Sequence, residues 1–225
     1  MTSFAASCDE AVAGVRDGAT VLVGGFGAPG LAIELLEALV RQGATDLTVV
    51  SNNAGSGTTG LAALIGAGRV GKLICSFPRQ ADSFVFMDLY RAGKIKLEVV
   101  PQGTLAERLR AGGAGVGGFY TRTGVRTLLA EGKEVRVIDG REYVFESPLT
   151  GDVALIRAHR SDRRGNLVYR KTARNFGPVM ATAAKLTIAE VDSVVEIGEI
   201  DPEVVVTPGI FVDRVAVRPV LEETA

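Results

Sequence analysis

Short apolar runs alternate along this chain with amphipathic stretches, and glycine or polar turns separate them. Thr20–Val23 and Gly24 have strand character, and the bend GGFGAPG carries the chain from there into Leu31–Val40. In that stretch Leu31, Leu35, Leu36 and Leu39 share one helical face, so a helix ending near Gly43 is expected. Pro29 suits a helix start because the N–H it lacks would be orphaned there. Upstream, residues 7–17 (SCDEAVAGVRD) read as a first helix, capped at Ser7 with Glu10 three residues on. Downstream, Asp46–Val50 is a buried strand and Ser51–Gly60 its polar exit. LAALIGAG is helical, KLICSF (72–77) is a strand, Phe84–Ala92 is helical, and KLEVVPQG ends another strand at Gln102. Thr104–Arg110 is expected to be a short helix with a capping box of Thr104 and Glu107.

From Ala111 to Gly124 there are six glycines in fourteen residues, too loose for core and consistent with a connector or a mobile loop. Beyond it the pattern changes. EVRVIDGREYVFE reads as a hairpin about Asp139-Gly140. GDVALIRAHR is a strand, 162–166 a turn, 181–184 the middle of a helix, and LTIAEVDSVVEIG one or two strands. Pro202 and Pro208 punctuate a tail ending in RVAVRPV. The expected fold is α/β, with a mixed, largely parallel sheet flanked by helices and antiparallel pairing towards the end. No repeat or linker interrupts it, so residues 1–225 are expected to form a single domain.

Composition narrows the function. The 225 residues are 47% hydrophobic, with 28 glycines and no Trp, and carry a formal charge of −1, which argues against general nucleic-acid binding. Cys8 and Cys75 are too few for a disulfide framework. Asp9 and Glu10 stand where a leader would be basic, and no apolar run is long enough to span a bilayer. A cytoplasmic protein with no membrane partner is the expectation.

In a parallel sheet ligands gather at the carboxyl ends of strands. Three exits stand out there: GGFGAPG, SNNAGSG and PQGT. A strand, a glycine turn and a helix N-terminus can turn backbone N–H groups towards an anion. Gly25, Gly27 and Gly30 also fit G-x-G-x-x-G, the dinucleotide fingerprint, but the second strand ends in Ser51-Asn52-Asn53 rather than the acidic residue that binds a ribose. Asn52, Asn53 and Gln102 supply neutral N–H donors of the kind an oxyanion hole needs. Asn is equally ordinary turn chemistry, and the residues alone leave both readings open. His159, the only histidine, excludes a multi-histidine metal site; it is open to a role as a lone base, but Arg157, Arg160, Arg163 and Arg164 around it point to a solvated turn. The basic run from Arg157 to Arg174 is a charged face or an interface that receives a phosphate or carboxylate. Cys75 reads as core, and nothing favours Glu196 as a nucleophile. The chain has donor-rich strand ends and no convincing nucleophile.

The segments VGGFGAPG, SNNAG, PQGTLAERLRAGGAG, GDVALIRAHRSDRRGNLVYRKTARNFGPVMA and TPGIFVDRV resemble, in order, the A (alpha) subunit of family I 3-oxoacid CoA-transferases. CSFPRQADSFVFMDLYRAGKIKLEVVPQG, with NFGP in place of NFNP, is more similar to members that use 3-oxoadipate than to the acetoacetate-using succinyl-CoA:3-ketoacid enzymes. The resemblance implies transfer of CoA from succinyl-CoA to a 3-oxoacid in ping-pong steps, through an acyl–glutamyl anhydride and a glutamyl-CoA thioester. The attacking glutamate belongs to a B subunit, paired with this one as A2B2. It further implies that Gly24, Gly25, Phe26, Gly27, Ala28, Pro29 and Gly30 form a CoA-binding loop. Asn52, Asn53 and Gln102 correspond to active-site amides that polarise the thioester carbonyl and orient the glutamate. CoA enters as a substrate, and no cofactor or metal is expected. Val206 departs from a position where many relatives have histidine. Arg79 in FPRQ offers a bidentate partner for the far carboxylate of 3-oxoadipate, or is simply a surface residue. Two rivals come from other classes: one chain of a dinucleotide-binding oxidoreductase, and a non-catalytic sensor of phosphorylated sugars.

Overall fold

The computed structural model describes residues 2–80 and 82–219. The expected alternation is present: β1 (Ser3–Ala5), α1 (Cys8–Val12), β2 (Thr20–Val23), α2 (Ile33–Gln42), β3 (Leu47–Asn53), α3 (Leu61–Gly66), β4 (Val70–Phe77), α4 (Phe84–Arg91), β5 (Lys96–Val99) and α5 (Gln102–Gly113). There follow β6 (Phe119–Thr121), β7 (Val135–Ile138), β8 (Arg141–Glu146), β9 (Gly151–Arg157), β10 (Arg160–Asp162), β11 (Leu167–Val168), α6 (Gly177–Thr182), β12 (Ala184–Val191), β13 (Ser193–Val195) and β14 (Arg214–Val217).

Among the described residues, eight strands form one sheet in the order β1-β14-β12-β9-β2-β3-β4-β5, and every pair in it is parallel. The antiparallel pairing expected late in the chain is confined to small three-stranded sheets, β6-β8-β7 and β11-β10-β13. The β7–β8 hairpin turns at Asp139 and Gly140, both at positive φ (49° and 73°), as a two-residue type I′ turn requires.

Alternation along the strands sends side chains to two cores. Val21, Val23, Val49, Leu73, Cys75 and Leu155 pack with the apolar stripes of α1–α4; Leu22, Val50, Ile74, Ala154 and Ile156 pack with Leu105 and Leu109 of α5 and Met180 of α6. Leu35, Leu36 and Leu39 are fully buried, and α2 stops at Gly43, whose φ of 97° closes the last turn.

Several local expectations are corrected. The first helix is shorter than 7–17; the Oγ of Ser7 accepts from the N–H of Glu10, but the Glu10 carboxylate accepts from Ala6. β3 runs three residues beyond Val50, so Asn52 and Asn53 sit in a strand. α5 starts at Gln102 behind Pro101, and the Thr104–Glu107 capping box does not form; the Thr104 hydroxyl is buried without a partner. α5 also takes in Ala111–Gly113, because glycine alone fits where Gly112 meets the Leu149 carbonyl and Gly113 meets Thr182. Residues 181–184 hold the end of α6 and the start of β12. Of the tail RVAVRPV, Val220 lies outside the described residues.

Candidate active site

The chain order reverses between β2 and β9: β2 to β5 step outwards on one side, and β9, β12 and β14 on the other. In open parallel sheets the carboxyl edge at such a switch point is where ligands bind. The glycine bend leaves β2 at this point, with Asn52 and Asn53 ending β3 beside it and Gln102 beginning α5 beyond β5.

The bend Gly24–Gly30 is held by its own bonds and by one distant residue. Gly24 N–H donates to Leu155, and Phe26 N–H reaches back to the Pro29 carbonyl. Asn175 clamps both limbs: its Oδ1 accepts from Gly25 N–H at 3.1 Å, while Nδ2 donates to the Pro29 carbonyl at 2.9 Å. Gly25, Gly27 and Gly30 all lie at positive φ. Nothing in the residue pattern singles out Asn175, because its partners are 146 and 150 residues away. Among the described residues, Gly27, Ala28 and Gly30 have N–H groups without a protein acceptor.

The expectation that α2 turns its N-terminus to a ligand is not met. Its first residue is Ile33, so Pro29 stands in the loop ahead of it, and Glu190 at the end of β12 occupies the position. The Glu190 carboxylate accepts from the N–H of Glu34 at 2.9 Å and of Leu35 at 3.2 Å. Burial pushes this carboxyl up to about 7, against the opposing pull of those N–H groups and of Arg157, 4.0 Å away.

The three amides are not all brought together. Successive strand residues face opposite ways. Asn52 shares the face of Val50 and meets α5, where its Oδ1 accepts from Gln102 Nε2 at 3.2 Å and from Ser76 Oγ at 2.7 Å. Two donors on Oδ1 fix the amide and leave its Nδ2 free to donate. Asn53 shares the face of Val49, and its Oδ1 accepts from Gly55 N–H at 2.9 Å, an Asx turn that bends the chain out of β3. Asn52 and Asn53 are both buried. Cys75 lies opposite Ser51 on β4; burial pushes its thiol up to about 12, which keeps it neutral. Arg79 is exposed, two residues past Phe77, the partner of Asn53 across the strands.

His159 is not in a merely solvated turn. Its Nδ1 lies 2.8 Å from Asp192, which also holds Arg218 at 2.6 Å and Arg157 at 3.4 Å. Burial would raise the Asp192 carboxyl, but the hydrogen bond to His159 and the two arginine charges outweigh it and hold it below the usual range. Glu196 is exposed and paired with Arg163. Val206 packs against the α5–α6 core, near Val179 and Phe211. Among the described residues, no group of His, Cys, Asp and Glu could hold a metal ion, and no helix is long and apolar enough to cross a membrane. No carboxylate hydrogen-bonds to Asn52, Asn53 or Gln102 among those residues.

Residues 5–218 match the Coenzyme A transferase family, and the chain belongs to it. It is 64% identical over 209 residues, 93% of this chain and 90% of the relative, to the A subunit of the 3-oxoadipate CoA-transferase of Pseudomonas putida. A Bacillus subtilis relative, described as the A subunit of a probable succinyl-CoA:3-ketoacid coenzyme A transferase, is 48% identical over 96% of this chain and 90% of its own length. Among solved structures, an acyl-CoA transferase of Escherichia coli O157:H7 in a thioester complex with CoA superposes with a TM-score of 0.86 at 25% identity. The match covers 99% of this chain and 48% of that one, so this chain spans about half of that polypeptide. The fold is that of the CoA-transferases, and the dinucleotide reading is not favoured.

Proposed function

We propose that this chain, as one domain, is the A subunit of a heteromeric CoA-transferase that moves CoA from succinyl-CoA to 3-oxoadipate. A B subunit supplies the nucleophilic glutamate, and the two chains assemble as A2B2. The observation that carries this reading is the Asn52–Gln102 amide pair at the carboxyl edge with no carboxylate bonded to it. Such a site can stabilise negative charge on a carbonyl oxygen but cannot itself attack one. Asn52 and Gln102 would donate to the thioester carbonyl as the glutamate adds. Asn53, whose Oδ1 is engaged by Gly55, would present its Nδ2 to the incoming glutamate. The bend Gly24–Gly30, drawn close by Asn175, would let the backbone approach the pantetheine arm of CoA, which is a substrate and not a resident cofactor.

Named relatives support 3-oxoadipate over acetoacetate: those at 64% and 60% identity are described as 3-oxoadipate CoA-transferases, and the succinyl-CoA:3-ketoacid relatives stand between 45% and 50%. The test is to combine the chain with a B subunit of the family and assay CoA transfer from succinyl-CoA. Absence of transfer to every 3-oxoacid offered defeats the proposal, and a preference for acetoacetate defeats its substrate half.

A further inference from the structure

Away from the active site, the small sheet β6-β8-β7 leaves one long side of β7 uncovered. β7 pairs with β8 alone, Val135 opposite Val144 and Ile138 opposite Arg141 across the hairpin. Phe145 N–H donates to the Glu134 carbonyl, which sets the alternation of the ladder. Glu134, Arg136 and Ile138 therefore turn their backbone groups to β8, and Val135 and Val137 turn theirs outward. Among the described residues, those outward N–H and C=O groups have no other partner. The two side chains are exposed as well, Val135 by 50% and Val137 by 64%. The opposite face of the strand carries charge. Tyr120 donates its hydroxyl to Glu134 and lies under the Arg136 guanidinium, 5.1 Å from the ring centre, and Arg136 and Glu134 are 3.7 Å apart. Edge strands are usually short or guarded by charge. β1, at one edge of the main sheet, has three residues and holds Arg163 over Phe4. β5, at the other, has Lys96 and the ion pairs of Glu98 with Lys72 and Arg108. The outer side of β7 is apolar and open instead.

We propose that two copies of this chain associate through β7, which pairs antiparallel with itself about a twofold axis at Val135. The pairing joins two three-stranded sheets into one continuous sheet and leaves each fold as it is. Backbone pattern and charge together fix the register. Outward-facing residues have to meet outward-facing residues, so the axis passes through a residue and not between two. With the axis at Val135, the two Val135 exchange both backbone bonds, and Val137 of each copy lies opposite Lys133 of the other. Glu134 then faces Arg136 of the other copy, and the symmetry makes this charge pair twice. An axis at Arg136 would set two guanidinium groups opposite each other, a destabilising pair, and an axis at Val137 would leave Arg136 opposite Ile138. The contact uses nothing of the Asn52–Gln102 site and does not rest on the transferase reading. In the proposed A2B2 assembly it joins the two A chains.

The test is cross-linking of the full chain, alone and assembled with a B subunit, with oxidised glutathione as the oxidant. Val135→Cys and Val137→Cys each introduce one exposed thiol, while the native Cys8 and Cys75 are buried. Opposite residues of a bonded antiparallel pair have Cα atoms about 5.5 Å apart, within disulfide reach. The two Val137 positions lie roughly 14 Å apart, out of register by about four residues at ~3.4 Å each. Val135→Cys is expected to give an A–A dimer on a non-reducing gel about tenfold or more faster than Val137→Cys. Adding Glu134→Arg or Arg136→Glu to Val135→Cys is expected to slow it about tenfold, because each sets like charges opposite each other. Mixing these two doubly substituted chains restores the rate, since arginines of one then face glutamates of the other. No contact within a single chain predicts that rescue. Equal rates for the two cysteine variants, or a mixture as slow as its components, overturns the contact. In the unsubstituted chain, hydrogen exchange at the Val135 and Val137 N–H groups is expected to slow as concentration rises. Exchange as fast as in an open strand at every concentration also overturns it. Either failure leaves the transferase reading, which CoA transfer alone decides, as it was.

Discussion

Gln102 donates its Nε2–H to Asn52 Oδ1 across 3.2 Å, joining the first turn of α5 to the last residues of β3. The same oxygen takes the Ser76 hydroxyl, so the Asn52 amide is held with its N–H group outward. A donor fixed before the reaction stabilises developing charge without a reorganisation cost, which is why such groups matter more than ordinary hydrogen bonds. Gln102→Ala is therefore expected to lower kcat by about 10²–10³-fold, the usual effect of removing one oxyanion-hole donor. Ser76→Ala removes only an orienting bond and is expected to cost about tenfold, in line with a net hydrogen-bond worth of about 1–1.5 kcal/mol. Steady-state kinetics of the assembled enzyme decide it. A change in KM alone for Gln102→Ala reduces the amide to a binding contact.

The bend makes a second, separable claim. Gly30 has φ +80°, and a Cβ there would sit 2.5 Å from the Ala173 carbonyl oxygen and 2.8 Å from Asn175 Nδ2. Gly27 has φ +66°, but its Cβ would meet only Pro29 at 3.9 Å. Gly27→Ala thus carries backbone strain alone, about 1 kcal/mol. Gly30→Ala adds a clash with the Asn175 clamp and is expected to lose roughly 3 kcal/mol, along with a raised KM for succinyl-CoA. Denaturant unfolding of the pair measures the difference, and equal losses would refute the close-packing account.

For substrate choice we propose Arg79. It is exposed, just past the β4 residue that pairs with Asn53, where a charged side chain can lean towards the amides. A guanidinium matches the far carboxylate of 3-oxoadipate bidentately, and acetoacetate has no such group. Arg79→Met is expected to reduce the kcat/KM ratio of 3-oxoadipate to acetoacetate by about 10–100-fold, the worth of a charge-assisted contact of roughly 1.5–3 kcal/mol. An unchanged ratio removes Arg79 from the site.

The alternation of strands and helices is legible in the sequence because hydrophobic period is a local property; so is the hairpin at Asp139-Gly140, whose turn chemistry is written in two residues. The errors fall where a distant part of the chain sets the outcome. Asn52 and Asn53 resemble a loop when read alone, and only pairing with Ser76–Phe77 draws them into β3. Thr104 and Glu107 spell a capping box, but Pro101 at φ −52° and ψ 138° begins the helix earlier, and Thr104 is buried beneath it. The insertion of β9 between β12 and β2 has no local signature, so residue spacing locates neither the switch point nor the arginines around Asp192 beside it. Asn175 and Glu190 escape for the same reason: each acts on a backbone about 150 residues away.

Glu190 makes the last prediction, about stability and pH. It is 1% exposed, faces Arg157 and Glu34, and lies near Cys8, whose thiol is pushed up to about 11 by burial and by this carboxylate. In the folded chain its carboxyl titrates at about 7, against an ordinary value of 4.5. The folded state therefore holds more protons than the unfolded state between those values, and stability falls as pH rises through that window. The contribution is complete below about 4.5 and lost above about 7. Its size is on the order of 3 kcal/mol at 1.36 kcal/mol per pH unit. Glu190→Gln keeps an oxygen for the N–H groups of Glu34 and Leu35 but cannot ionise. Wild type and variant are therefore expected to have similar melting temperatures near pH 5, with the variant several degrees higher by pH 8. Thermal unfolding across that range tests the point, and parallel curves would show that Glu190 does not titrate there.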